Sequence, residues 1–289
     1  MRAVVLDGPG PPEALVIRDI PVPDPAVGWV LIRVRAFGLN RSELHTRLGL
    51  AQGVTFPRVP GIEAVGQVAE CPGGEFAPGQ QVGSDLDWSV PEMLQTASGS
   101  LDVGLDARPG QSILIRGGTS SVGMATAVLA TQRAMTVFAT TRSPAKADAL
   151  TALGVDHVLI DDGDVASQVR AIAPDGVDTA LELVGTPTLP DTLRSVRVHG
   201  VVCFTGMLSN EWIIKDFYPI AYLPRGVRLA GYGGDAGDLP ADVLQQFLDA
   251  VAAGTARVPI DHVYAFDEIA AAHSAMEAGT ASGKLVVLT

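Results

Sequence analysis

The sequence predicts an α/β protein in which a doubly wound parallel sheet is inserted in an irregular β domain. Three observations lead there. Residues 112–232 alternate short, almost continuously apolar runs with helix-like stretches, the pattern of a parallel sheet covered on both faces. A Gly-rich turn, Gly117–Gly123, joins the first of those runs to the first helix. The residues before this region are rich in Pro and Gly and hold only short β-type runs.

Taken in order, Ala3–Leu6, Val30–Ala36 and Ala64–Val68 read as strands between turn signals such as Pro-Asp-Pro and Pro-Gly, and Ser42–Leu50 reads as a short helix. The texture changes near Val90. Strands are expected at Ser112–Arg116, Met135–Thr141, His157–Ile160, Thr179–Val184 and Val201–Gly206, with Arg228–Tyr232 as a sixth. Helices are expected between them at Val122–Arg133, Pro144–Leu153, Val165–Ala171 and Thr188–Arg197. Two more follow at Ala241–Ala253 and Phe266–Ala278, and Lys284–Leu288 closes as a strand. The expected boundaries lie near residues 98 and 236, so that 1–98 and 237–289 form one domain around 99–236.

At 289 residues the chain suits one large or two moderate domains. A net charge of −12 repels phosphate backbones and anionic bilayers, which makes nucleic acid and membrane poor partners; it also serves solubility. Cys71 and Cys203 are far apart and have no CxxC companion, against a disulfide scaffold or a Cys-rich metal site, and Cys203 sits in an apolar strand. The N-terminal residues read as a strand rather than a signal peptide, and no window of about 18 apolar residues lacks a charge. A cytoplasmic location is the default expectation.

In Ile113-Leu-Ile-Arg-Gly-Gly-Thr-Ser-Ser-Val-Gly, Gly117 and Gly118 permit a tight turn, and Gly123 permits close packing of the following helix on the strand. Thr119, Ser120, Ser121 and Val122 then offer backbone N–H groups at a helix N-terminus, where the helix dipole also favours a pyrophosphate. Ser120 stands where the second Gly of GxGxxG belongs, so the context of strand, turn and helix carries the assignment. The end of the second strand distinguishes the dinucleotides. An NAD site offers a carboxylate there; this chain offers Thr141, Arg142 and Ser143, with Lys146 one turn on. Arg142 and Lys146 suit a 2′-phosphate and hence NADPH, or are solvated surface charges. Asp161 and Asp162, after the third strand, either repel that phosphate or pair with Arg142.

These residues, with others outside the turn, resemble the medium-chain dehydrogenase/reductase superfamily in its zinc-free quinone oxidoreductase branch. Pro60-Gly-Ile-Glu-Ala-Val-Gly-Gln-Val is similar to that superfamily's G-x-E-x-x-G-x-V stretch, and Pro78-Gly-Gln-Gln-Val to its P-G-D-x-V turn. Asn40-Arg-Ser-Glu-Leu-His-Thr-Arg-Leu-Gly resembles the branch motif N-x-x-D-x-Y-x-R-x-G, and Ser282-Gly-Lys-Leu-Val-Val-Leu the closing strand. The resemblance implies a Rossmann cofactor domain within a GroES-like β-barrel. It places Asn40 and Thr96 near nicotinamide and substrate, Val184, Gly185, Gly206, Met207 and Leu208 beside the nicotinamide, and Arg47 at the branch's Arg position. His45 stands at the Tyr position, as a proton donor or a polar wall residue. Glu43 is as compatible with a structural role as with a catalytic one. Zinc members carry Cys at the position of Asn40 and His at that of Ile62; neither residue here is a zinc ligand, and His45 with Glu63 does not make a site.

One departure stands out. Only Gly83–Gln95 separates the Pro-Gly turn from Thr96, where the superfamily has several tens of residues. Either a segment near 83–84 is deleted or residues are missing from the numbering, and the second is the expectation. The sequence thus predicts an NADPH-dependent, zinc-free reductase of quinones or α,β-unsaturated carbonyl compounds, with hydride transfer in a cleft between the domains and pairing of subunits through Arg228–Tyr232. The alternatives are a zinc-independent alcohol dehydrogenase, in which His45 is the candidate acid/base, and a non-catalytic NADPH-binding sensor.

Overall fold

The computed structural model describes residues 1–82, 91–257 and 259–289, so the 83–84 junction lies outside the described residues. The chain divides into two compact units, Met1–Val90 with Ile260–Thr289, and Pro91–Pro259.

In the first unit, β1 (Arg2–Leu6) pairs antiparallel with β2 (Leu15–Asp19). β3 (Leu31–Gly38) leads into helix α1 (Arg41–Arg47), followed by β4 (Val65–Glu70) and the short β5 (Gln81–Val82). Asn40 caps α1: its backbone N–H donates to Glu43 Oε2 at 2.5 Å, and the Asn40 carboxamide meets the same carboxylate. A polar cap followed three residues on by Glu is the local reason the helix starts there.

The second unit begins with α2 (Pro91–Gly99), which continues as a wide turn over Ser100–Gly104. The expected alternation follows: β6 (Ser112–Arg116), α3 (Ser121–Gln132), β7 (Thr136–Thr141), α4 (Ala147–Thr151), β8 (His157–Ile160), α5 (Val165–Ile172), β9 (Val177–Glu182), α6 (Leu189–Ser195) and β10 (Val196–Phe204). The short α7 (Pro219–Tyr222), β11 (Arg228–Gly231) and α8 (Ala241–Ala252) complete it. All five pairings in this sheet are parallel, in the order β11-β10-β9-β6-β7-β8. The order reverses between β6 and β9, which is where open parallel sheets bind ligands. Leu114, Phe138, Ala180 and Val202 bury one face together with Val165 and Val169 of α5 and Leu189 and Leu193 of α6. α3 packs against β6 and β7, and α2 packs against α3.

The chain then returns to the first unit with β12 (Ile260–Ala265), α9 (Ile269–Ala278) and β13 (Lys284–Leu288). β13 lies between β12 and β3 in a five-stranded sheet of order β12-β13-β3-β4-β5. Leu44 of α1, Ala272 and Met276 of α9, and Leu285 and Val287 of β13 share one core with Val4 and Leu6. Among the described residues, no helix is long and apolar enough to cross a membrane.

Several elements differ from the sequence reading. The helix expected over Thr188–Arg197 ends at Ser195, because Val196 already pairs with Val177 in β10. α2, β2, β5, α7 and β12 are not among the expected elements. Most residues of β12 are exposed, and its run Ile-Asp-His-Val-Tyr-Ala does not alternate apolar with polar.

Candidate functional site

The Gly-rich turn sits at the C-terminal end of β6, beside the point where strand order reverses. Gly117 has φ +86°, and the Gly118 N–H bonds to the Thr140 carbonyl at 3.0 Å, which ties the turn to β7. A Cβ on Gly123 would lie 2.5 Å from the Gly117 carbonyl oxygen, so only Gly lets α3 approach β6 this closely. Ser120 is the helix cap, its hydroxyl oxygen accepting from Gly123 N–H at 3.1 Å. This corrects one detail: the Ser120 N–H is not free for a ligand, since it donates to the Gly117 carbonyl. The N–H groups of Thr119, Ser121 and Val122 have no backbone acceptor among the described residues, as expected for a helix N-terminus.

The structure brings this turn against the predicted nicotinamide-side residues. A Cβ on Gly117 would be 3.0 Å from Leu208 Cδ1 and 3.4 Å from Val184 Cγ2. Gly206, Leu208 and Ser209 donate to the carbonyls of Glu182, Leu183 and Val184, so the Gly206–Met207–Leu208 loop is pinned along the end of β9. Gly185 has φ +135°, and its N–H and that of Val184 donate to Glu182 Oε1 at 3.0 and 2.7 Å. Glu182 is fully buried and also accepts from the Thr188 and Thr192 hydroxyls; burial pushes its carboxyl upward, while these hydrogen bonds oppose the shift.

At the end of β7, Thr141 is buried and its hydroxyl accepts from the Ser143 N–H at 3.2 Å, fixing the bend that presents Arg142. Arg142 is exposed, and no carboxylate pairs with it among the described residues. Lys146 is half-buried in the short turn that follows. Asp161 is committed elsewhere: it takes two hydrogen bonds from the buried Arg116, at 2.7 and 2.8 Å. The third Arg116 contact goes to Asp191 at 2.7 Å, and Asp191 also accepts from the Val165 and Ala166 N–H groups at the start of α5. Burial alone would lower Arg116, but its bonds to Asp161 and Asp191 outweigh that and raise it. The sequence left open whether Asp161 pairs with Arg142; it pairs with Arg116.

The other predicted residues fall in separate places. Thr96 lies on α2 in the second unit, half-buried, with its hydroxyl near Glu92 and Gln95. Asn40, His45 and Arg47 belong to the first unit and are all buried. Arg47 binds Glu277 and the Gly10 carbonyl, which packs α1 against α9. Next to it, burial and then the Arg47 charge push His273 down to about 4. Asn40 is the centre of a cluster. Its Nδ2 donates to Glu63 Oε1 at 3.0 Å and more weakly to Glu43, while its Oδ1 accepts from Lys284 Nζ. Lys284 also pairs with Glu63 at 2.6 Å. Burial pushes Glu43 up to about 7, against the pull of Asn40 and Lys284. Sequence reasoning missed Lys284 and Arg116 as site residues. The available signal was a charged residue at the end of an otherwise apolar strand run.

A two-unit α/β architecture with a phosphate-type turn at the switch point of a parallel sheet defines a dehydrogenase/reductase. The families described as "Alcohol dehydrogenase GroES-like domain" and "Zinc-binding dehydrogenase" match residues 26–137 and 153–287. The human synaptic vesicle membrane protein VAT-1 homolog is 25% identical, over all of this chain and 86% of its own length. A probable quinone oxidoreductase of Schizosaccharomyces pombe is 25% identical over 96% of this chain and 94% of its own. A mycobacterial protein solved in complex with NADPH superposes with a TM-score of 0.89 at 22% identity, over the full length of both chains. The chain belongs to the medium-chain dehydrogenase/reductase superfamily, in its quinone oxidoreductase branch. The alignment with the human relative runs over 343 positions against 289 residues here, so that relative carries internal segments which this chain lacks.

Proposed function

We propose that this oxidoreductase uses NADPH to reduce a quinone or an α,β-unsaturated carbonyl compound, without zinc. The observation that carries the reading is the open Arg142 at the end of β7, beside a phosphate-type turn, with the neighbouring Asp161 neutralised by Arg116. The N–H groups of Thr119, Ser121 and Val122 would hold the pyrophosphate, and Arg142 with Lys146 the 2′-phosphate. Val184, Gly185, Met207 and Leu208 would border the nicotinamide. When bound, that group supplies the hydride. The protein's part is to orient the two reactants and exclude water. The Lys284 ammonium beside Asn40 and Glu63 supports a zinc-free reading, because a second cation there would be repelled. His45 and Thr96 are proposed to contact substrate. A homodimer through β11, the edge strand of the parallel sheet, is part of the same reading.

The test is turnover with NADPH and with NADH against quinones, enones, aldehydes and simple alcohols. Reduction of quinones or enones with NADPH preferred supports the reading. Equal use of NADH overturns the role of Arg142. Oxidation of simple alcohols without enone reduction points to an alcohol dehydrogenase, and tight NADPH binding with no turnover to a sensor.

A further inference from the structure

Four polar side chains converge in the interior of the first unit: Asn40 at the start of α1, Glu43 one turn on, Glu63 before β4, and Lys284 at the start of β13. The Lys284 and Glu63 side chains are 1% and 3% exposed, and Glu43 is buried. The ammonium pairs with Glu63, Glu43 lies close enough to feel its charge, and the Asn40 carboxamide spends its oxygen on Lys284 and its N–H groups on the two glutamates. Asn40 stands where metal-bearing relatives place a Cys. Ile62, which stands where they place a His, is 53% exposed and outside the cluster. The separation of Lys284 Nζ from Glu63, 2.6 Å, is comparable with the reach of a cation bound to hard oxygen donors.

We propose that Lys284 is a positioning residue whose ammonium acts as a tethered cation, holding Asn40 and Glu63 in place as a metal ion would. The donors are an amide oxygen and carboxylates, so the ions that could replace the ammonium are hard divalent cations such as Mn²⁺. Shortening Lys284 removes the ammonium that pairs with the buried Glu63 side chain and holds the Asn40 oxygen, next to the buried Glu43.

The experiment is thermal unfolding of the native chain and of Lys284→Ala, each with and without Mn²⁺, together with electron paramagnetic resonance of the bound ion. The expected result is a midpoint lowered by roughly 10 °C in Lys284→Ala. Mn²⁺ should largely restore it, bound once per chain, while leaving the native protein unmoved. Equal stability of variant and native chain overturns the proposal. So does an Mn²⁺ effect that persists when Glu63→Gln is added. Should Lys284→Ala not fold, Lys284→Met is compared with Lys284→Met/Glu63→Gln. The double variant is expected to be the more stable, and the reverse order refutes the idea. None of these readings involves NADPH or turnover, so they stand or fall apart from the proposed reaction.

Discussion

Each unit holds a buried cation close to two acids, Arg116 in the second and Lys284 in the first, and the two arrangements differ. In the second unit the planar Arg116 guanidinium divides its donors, two to Asp161 and one to Asp191, and Asp191 gains two further donors from the start of α5. In the first unit Lys284 is a point charge that reaches Glu63 and the Asn40 oxygen. The hydrogen bonds to Glu43 come from Asn40, and its carboxyl is pushed up to about 7. The forked guanidinium divides its bonds between two acids, whereas the ammonium reaches one carboxylate and an amide oxygen, and burial leaves the Glu43 carboxyl raised.

Arg116→Met is expected to break this contrast most strongly, costing about 3–5 kcal/mol in denaturant unfolding, because the buried Asp191 and the half-buried Asp161 lose their partner. Arg116→Lys should recover only part of that; full recovery would show that the fork is unimportant. Next in size, Arg142→Ala should weaken NADPH binding by about 10- to 100-fold in a fluorescence titration and leave NADH almost unchanged. A comparable loss for NADH would mean that Arg142 does not read the 2′-phosphate.

A pH series sharpens the other half of the contrast. Glu43 is raised above the usual carboxylate value of 4.5, so its contribution to stability is present below 4.5 and lost as pH rises through about 7. His273 is lowered from 6.5 to about 4, so its contribution is present above 6.5 and lost as pH falls towards 4. The two slopes oppose one another between 4.5 and 6.5. Glu43→Gln should therefore gain on the order of 2 kcal/mol relative to native at pH 8 and little at pH 4, measured as unfolding free energy. A difference independent of pH would contradict the raised Glu43. The smallest effect is expected at the turn: Ser120→Ala should cost about 1 kcal/mol of stability and Ser120→Gly only a few tenths, because Gly also caps helices.

The parallel sheet was legible because each of its strands is a local apolar run and each intervening helix announces itself. The Gly117–Gly123 turn was legible because its chemistry is contained in seven consecutive residues. α2 was missed although Met93, Leu94, Ala97 and Leu101 recur at helical spacing on its buried side. The clusters were not legible, because no periodicity links Asn40, Glu63 and Lys284, or Arg116, Asp161 and Asp191. What draws them together is the pairing of β13 with β3 and the packing of α5 and α6 on one face of the sheet.

That β13 lies between β12 and β3 has a consequence for how the chain is made. A ribosome delivers Asn40, Glu43 and Glu63 early and Lys284 more than two hundred residues later, with the whole parallel sheet in between. Until then Glu63 lacks the Lys284 ammonium that pairs with it in the folded unit. The parallel sheet can assemble as it emerges, whereas the first unit waits for its final strand, so vectorial synthesis sets an order in which the segment made first is the last to be buried.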